Sequence, residues 1–112
     1  MACDHLAARG YELLQRNFRT RHGEIDIVAQ DRRFLVFCEV KTRVGRERSG
    51  VFDPLASVGT RKQRQLRRMA MQWLSDRGRP RASGDSIRFD AIGVTLGPGG
   101  HLILLDHVEN AF

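Results

Sequence analysis

Residues Glu24 to Gln30 alternate strictly, with Ile25, Ile27 and Ala29 on one side and Glu24, Asp26 and Val28 on the other. That period predicts a β-strand with two unlike faces. Phe34 to Thr42 returns as a second strand after the short turn Asp31-Arg32-Arg33, and Tyr11 to Phe18 precedes both as a further strand. Leu6, Ala7 and Ala8 before Gly10 read as the end of a short helix closed by a glycine. Farther along, Leu66, Met69, Ala70, Trp73 and Leu74 recur at the three-and-four spacing of a helix with one buried face. Thr60 is its expected N-cap, Arg77 its last residue, and Gly78 with Pro80 its stop. Ile87 to Val94 and Leu102 to Leu105 complete the pattern as two strands around Gly97-Pro98-Gly99-Gly100. Between Arg43 and Gly59 the composition turns to Gly, Arg, Ser and Asp-Pro, which predicts a long loop with Asp53 as a turn residue before Pro54. The predicted order is αβββαββ, a mixed β-sheet with helices packed on it, in a single α/β domain over residues 1–112.

Length and composition agree with one globular core. The chain has 112 residues, 41% apolar and 29% charged, so it is neither disordered nor large enough for two cores. The aliphatic and aromatic run that takes in Leu35 to Cys38 is too short to span a bilayer. Asp4 and His5 near the start do not suit a signal peptide, and two cysteines, Cys3 and Cys38, fit a reducing compartment. A cytoplasmic protein without a membrane partner is expected. Charge narrows the class of partner. Nineteen Lys and Arg against thirteen Asp and Glu leave a net +6, almost all from arginine, whose planar fork suits phosphate. A small basic domain of this kind has nucleic acid as its default partner, although solubility alone would also explain the charge.

Position separates the two. The strand Phe34 to Thr42 is apolar on both faces, as a central strand is, yet it carries Glu39 and Lys41 on one side. An unpaired charge buried there would cost several kcal/mol. With Arg32-Arg33 as the hairpin tip, opposed residues have numbers that sum to 65, which sets Asp26 across from Glu39 and Glu24 across from Lys41. Two carboxylates opposed at about 4.5–5.5 Å repel unless a cation lies between them. Magnesium or manganese would meet that need through hard oxygen ligands. Asp26 and Glu39 are the candidate metal ligands, Glu24 a residue orienting ligated water, and Lys41 a stabiliser of hydroxide or of charge on phosphorus. The plainer alternative is a cross-strand ion-pair ladder, with Glu24 and Lys41 paired and the other two solvated.

The flanks carry Arg19, Arg21 and His22 on one side and Arg43, Arg46 and Arg48 on the other. The second helix opens with Arg61, Lys62 and Arg64, followed by Arg67 and Arg68. These segments hold ten of the nineteen Lys and Arg and one acid, Glu47. Positive charge focused around carboxylates points to contacts with a phosphodiester backbone. His22 adjoins that site but also reads as an ordinary exposed loop histidine. Trp73 and Cys38 read as core, Gln65 and Gln72 as solvated, and Asp90 as a structural acid in an apolar strand.

Gly23-Glu24-Ile25-Asp26, followed by Glu39-Val40-Lys41, resembles the PD-(D/E)xK nuclease superfamily, which includes restriction endonucleases and Holliday-junction resolvases. More closely, the chain is similar to the YraN family of small bacterial proteins. That likeness rests on Gly10-Tyr11, Asn17-Phe18-Arg19, Val36 through Arg43, the helix from Lys62 to Leu74, Arg88-Phe89-Asp90 and Asn110-Ala111-Phe112. The resemblance implies a restriction-endonuclease-like core, metal ligation by Asp26 and Glu39, a catalytic Lys41 and a DNA substrate selected by structure. Resolvase-like relatives act as dimers, so it also implies a homodimer. Two departures accompany it. Ile25 stands where the superfamily name puts its proline, and no residue maps onto the acid that YraN-like chains carry in a longer first helix. A non-catalytic nucleic-acid-binding module, or an accessory subunit with this fold, is the competing expectation.

Overall fold

The computed structural model describes residues 1–44, 59–77 and 86–112. Its elements run α1 (Ala2–Ala8), β1 (Glu12–Thr20), β2 (Gly23–Gln30), β3 (Phe34–Val44), α2 (Thr60–Arg77), β4 (Ser86–Leu96) and β5 (Leu102–Val108). This is the expected αβββαββ order. The expected helix stop at Gly78 and Pro80, the turn at Asp53 and most of the loop before Gly59 lie outside the described residues.

The five strands form one sheet in the order β1-β2-β3-β4-β5. All neighbours are antiparallel except β3 and β4, which run parallel and are separated in the chain by α2. Successive residues of β3 belong to different apolar layers because strand side chains alternate. Leu35 and Phe37 pack with Leu66, Met69, Ala70 and Trp73 of α2. Val36 and Cys38 pack with Ala2 and Leu6 of α1. A helix therefore covers each face, which explains why β3 is apolar on both sides and reads as central. The α2 layer is the aromatic one. Trp73 meets Phe37 edge-on at 5.8 Å and donates its indole N–H to Gln15 Oε1 at 2.9 Å, satisfying the polar end of a buried ring.

The hairpin register is as expected where it exists. The β2–β3 ladder runs from Gln30–Leu35 to Ile27–Cys38, each pair summing to 65. It stops there, so the predicted Asp26–Glu39 and Glu24–Lys41 pairs lie beyond its end. The expected alternation of β2 also fails at this point. Ile27 and Ala29 lie in the α1 layer, but Ile25 joins Val28 in the α2 layer. β1 is irregular at the same place, where Asn17 adopts a left-handed φ of 53°. Pairing passes from Arg16–Ile27 to Phe18–Ile25, leaving Asn17 and Asp26 outside the ladder. One residue out of phase on each strand turns Ile25 to the other face.

Candidate functional site

The sheet opens at the end of the β2–β3 ladder, and Asp26 stands in the opening. Its Oδ2 accepts the Val40 backbone N–H at 2.7 Å, so a side chain takes the position that a backbone carbonyl would fill in a continued ladder. Asp26 also lines a cavity of about 390 Å³ with Cys3 of α1, Arg16 and Asn17 of β1, and Val40 and Thr42 of β3. Burial pushes the Asp26 carboxyl up to about 6, the Val40 N–H opposes this, and the Glu39 charge and a hydrogen bond and charge from Glu24 add to the rise. An acid with that setting holds its proton to just below neutral pH.

Glu39 is the second acid of the opening. It is only 4% exposed. It follows Leu35 and Phe37 on the α2 side of β3, and its Oε1 lies 3.6 Å from Lys41 Nζ and 3.5 Å from Lys62 Nζ. Its Oε2 is buried and has no hydrogen-bond partner among the described residues. A buried carboxylate oxygen without a donor is costly, and such exceptions concentrate at sites that bind or react.

The four sequence-predicted residues fall into two groups: Asp26, acted on by Glu24, lines the cavity on the α1 side, whereas Glu39 and Lys41 lie on the α2 side of β3. Glu39 and Lys41 touch directly. Asp26 feels the charge of Glu39 but shares no hydrogen-bond partner with it. Glu24 does not pair with Lys41. Its Oε2 accepts from Arg19 Nε of β1 at 2.8 Å, because the neighbouring strand offers a cation at Arg19–Glu24 in the ladder. The expected ion-pair ladder therefore forms between β1 and β2, not between β2 and β3.

Among the described residues no three His, Cys, Asp or Glu side chains are grouped as a ready-made metal cage. A hard divalent cation asks for less, typically one or two carboxylates with water and substrate phosphate completing the shell. The donor chemistry fits that smaller demand. Glu39 Oε2 is a carboxyl oxygen without a donor among the described residues, and Asp26 is a second carboxyl oxygen donor facing the cavity.

The basic residues divide by place. Arg61, Arg64 and Arg68 of α2 share a surface cavity with His22 of the β1–β2 turn and Gln65. Arg21 lies beside His22, its Nε 3.4 Å from His22 Nε2. Arg19 is committed to Glu24. Arg43 sits near the end of β3 opposite Thr95, while Arg46 and Arg48 lie outside the described residues. Lys62 is the residue whose part the sequence understated. It reads there as one more phosphate contact, but it meets Glu39 as closely as Lys41 does. Its signal was present in the helical period, since Lys62 lies one turn before Leu66 on the buried stripe.

Asp90 proves structural, as expected, with a defined set of partners. Arg88 Nε and Nη2, His107 Nε2 and the Asn110 N–H all converge on its two oxygens at 2.8–3.0 Å. Trp73 and Cys38 are core, and Gln65 is half-buried beside the basic cavity instead of fully solvated.

The uncharacterised protein family UPF0102 matches residues 1–94. The chain belongs to that family. It is 44% identical to a UPF0102 protein of Frankia casuarinae, and 38% identical to one of Rhodococcus jostii, over 112 residues in each case. Both alignments cover all of this chain and 89% of the relative. A UPF0102 protein of Geobacter metallireducens is 41% identical over 113 residues, again across the whole chain and 85% of its own length. The UPF0102 match takes in Asp26, Glu39, Lys41, Lys62 and Asp90, and ends before β5.

Proposed function

We propose that this UPF0102 protein is a divalent-metal-dependent phosphodiesterase of the PD-(D/E)xK type, acting on DNA according to its structure. The observation that carries this reading is Glu39: a buried carboxylate with one oxygen between two lysines and the other without a donor among the described residues, its charge reaching an Asp26 carboxyl that burial pushes up to about 6. When bound, magnesium or manganese would polarise a phosphate oxygen and lower the pKa of water. Asp26 and Glu39 would hold that cation at the open end of the β2–β3 ladder, where the charge of Glu39 reaches Asp26. Lys41 and Lys62 place two ammonium groups at the same carboxylate, where they can meet negative charge developing on phosphate. Glu24, hydrogen-bonded to Asp26, orients that carboxyl. The basic residues of α2 and the β1–β2 turn supply affinity for the backbone without reading bases. Among the described helices none is long and apolar enough to cross a membrane, and Cys3 and Cys38 are free thiols. Both suit work on cytoplasmic nucleic acid.

The test is cleavage of branched, flapped and linear DNA in Mg²⁺ or Mn²⁺ by wild type, Asp26→Asn and Glu39→Gln, with calorimetric titration of each metal into the protein. Loss of one oxyanion-stabilising or ligand group is expected to lower the rate by about 10²-fold or more. Identical behaviour of all three proteins on every substrate would sink the catalytic reading. One observation favours the alternative of a binding module: the lysines already offset much of the Glu39 charge. That alternative is the outcome if DNA binding is unchanged by metal and by both substitutions.

A further inference from the structure

The arginines of α2 are not equivalent. Arg67 lies over the Phe89 ring at 5.0 Å, and Arg77 over Phe18 and Trp73 at 5.0 and 5.6 Å, so these two guanidinium groups are spent on aromatic faces. Arg61, Arg64 and Arg68 instead follow one another along a single face at intervals of three and four residues. With Gln65 they line a cavity of about 320 Å³. Among the described residues no acid lines it and no carboxylate pairs with these three arginines.

His22 completes the wall from a different element, and the fold holds it there. Its backbone N–H donates to Thr20 Oγ1 at 3.0 Å. The next residue, Gly23, has a φ of 136°, and a Cβ there would meet Met69 of α2 at 3.6 Å. The β1–β2 turn is therefore laid on the helix beside the arginines. Lys62, adjacent to Arg61 in the chain, turns the other way to Glu39.

We propose that the cavity walled by His22, Arg61, Arg64, Gln65 and Arg68 seats one backbone phosphate of a nucleic-acid strand, next to the phosphodiester held at Glu39 and Lys62. This rests on the nucleic-acid reading above and names the contact that positions the strand. Three guanidinium forks and a side-chain amide present donors around one anion, and the histidine ring adds a further N–H donor. The contact carries no base information, so it fixes register along a strand without selecting sequence.

The seat is tested in EDTA, where no metal-dependent cleavage can take place, so failure of the catalytic reading and failure of this one are separate results. Fluorescence anisotropy follows binding of a short labelled DNA duplex, and of an RNA duplex of the same sequence, across a salt series. The double variant Arg64→Gln/Arg68→Gln is compared with Arg32→Gln/Arg33→Gln, which removes the same charge at the exposed β2–β3 tip. For a single seated phosphate, the slope of log K against log salt shrinks by about 0.9 in the α2 variant with at least one of the two duplexes, while the tip variant keeps the wild-type slope. An unchanged slope in the α2 variant overturns the seat. An equal fall in both variants overturns it too, because the charge is then acting as a diffuse field. Circular dichroism melting of each variant checks that the helix is intact.

Discussion

Two buried acids lie on adjacent strands of this sheet and have met opposite fates. Asp90 of β4 pairs in register with Cys38, and Glu39 is the next residue along β3. Both are almost fully hidden from solvent. Around Asp90 every lone-pair direction is used: Oδ1 takes Arg88 Nε and the Asn110 N–H, and Oδ2 takes Arg88 Nη2 and His107. Arg88 in turn donates to the Tyr11 hydroxyl, and His107 Nδ1 lies 3.0 Å from His5 Nε2, so the network ties α1 and the residue just before β1 to β4 and β5. Around Glu39 the lysine ammonium groups stand 3.6 and 3.5 Å from one oxygen, and among the described residues nothing donates to the other. Burial is common to both acids, and the supply of donors is not. The satisfied one ties elements together, while the other keeps an oxygen without a donor among the described residues.

The contrast is sharpest in stability. Replacing Asp90 by Ala would strand Arg88 in the core and leave the Asn110 N–H and His107 without their acceptor. A loss of about 3–5 kcal/mol is expected, read as a lower urea midpoint at unchanged slope. A change below 1 kcal/mol would erase the distinction between the two centres.

The two centres also differ in the sign of their pH dependence. Burial pushes Asp90 up, but hydrogen bonds from His107, Arg88 and Asn110 outweigh it and hold the carboxyl below its ordinary value of 3.8. Asp90 therefore contributes stability above the unfolded value, and that contribution is lost as the pH falls through the folded one. Asp26 runs the other way. Its folded value of about 6 exceeds the ordinary 3.8, so its contribution is full below pH 3.8 and disappears as the pH rises through 6. Asp26→Asn should accordingly stabilise the protein at pH 7 relative to pH 4, by about 1 kcal/mol after allowance for solvent screening. Urea unfolding of wild type and variant at both pH values measures this. An equal effect at the two would show that Asp26 titrates normally.

The smallest effect is expected at the Arg19–Glu24 pair, whose arginine is largely exposed. Arg19→Gln should change stability by less than about 0.5 kcal/mol, measured by the same unfolding experiment. A larger loss would mean that Arg19 positions Glu24 for Asp26 and belongs to the site.

Much of this was legible in the chain. The period of α2 marked Leu66, Met69, Ala70 and Trp73, and these are its buried residues. The turn Asp31-Arg32-Arg33 set the hairpin register, because Asp31 Oδ1 accepts the N–H groups of Arg33 and Phe34 and closes the turn locally. The acids and Lys41 stood out because charge in an apolar strand needs an explanation. What misled the reading was the assumption of unbroken alternation. Asn17 has a short polar side chain that tolerates a left-handed backbone, but nothing in its neighbours announces that it adopts one.

By itself the sequence determined the element order, the hairpin register and the identity of the charged residues, since periodicity, turn chemistry and charge are local properties. Where the β2–β3 ladder ends, which strand claims Glu24, and that Lys62 and His22 swing in from distant elements were decided by tertiary structure. Those outcomes depend on which donors arrive at an acid from elsewhere in the chain. A one-dimensional pattern records the need of a buried carboxylate, and only the packed molecule shows whether that need is met.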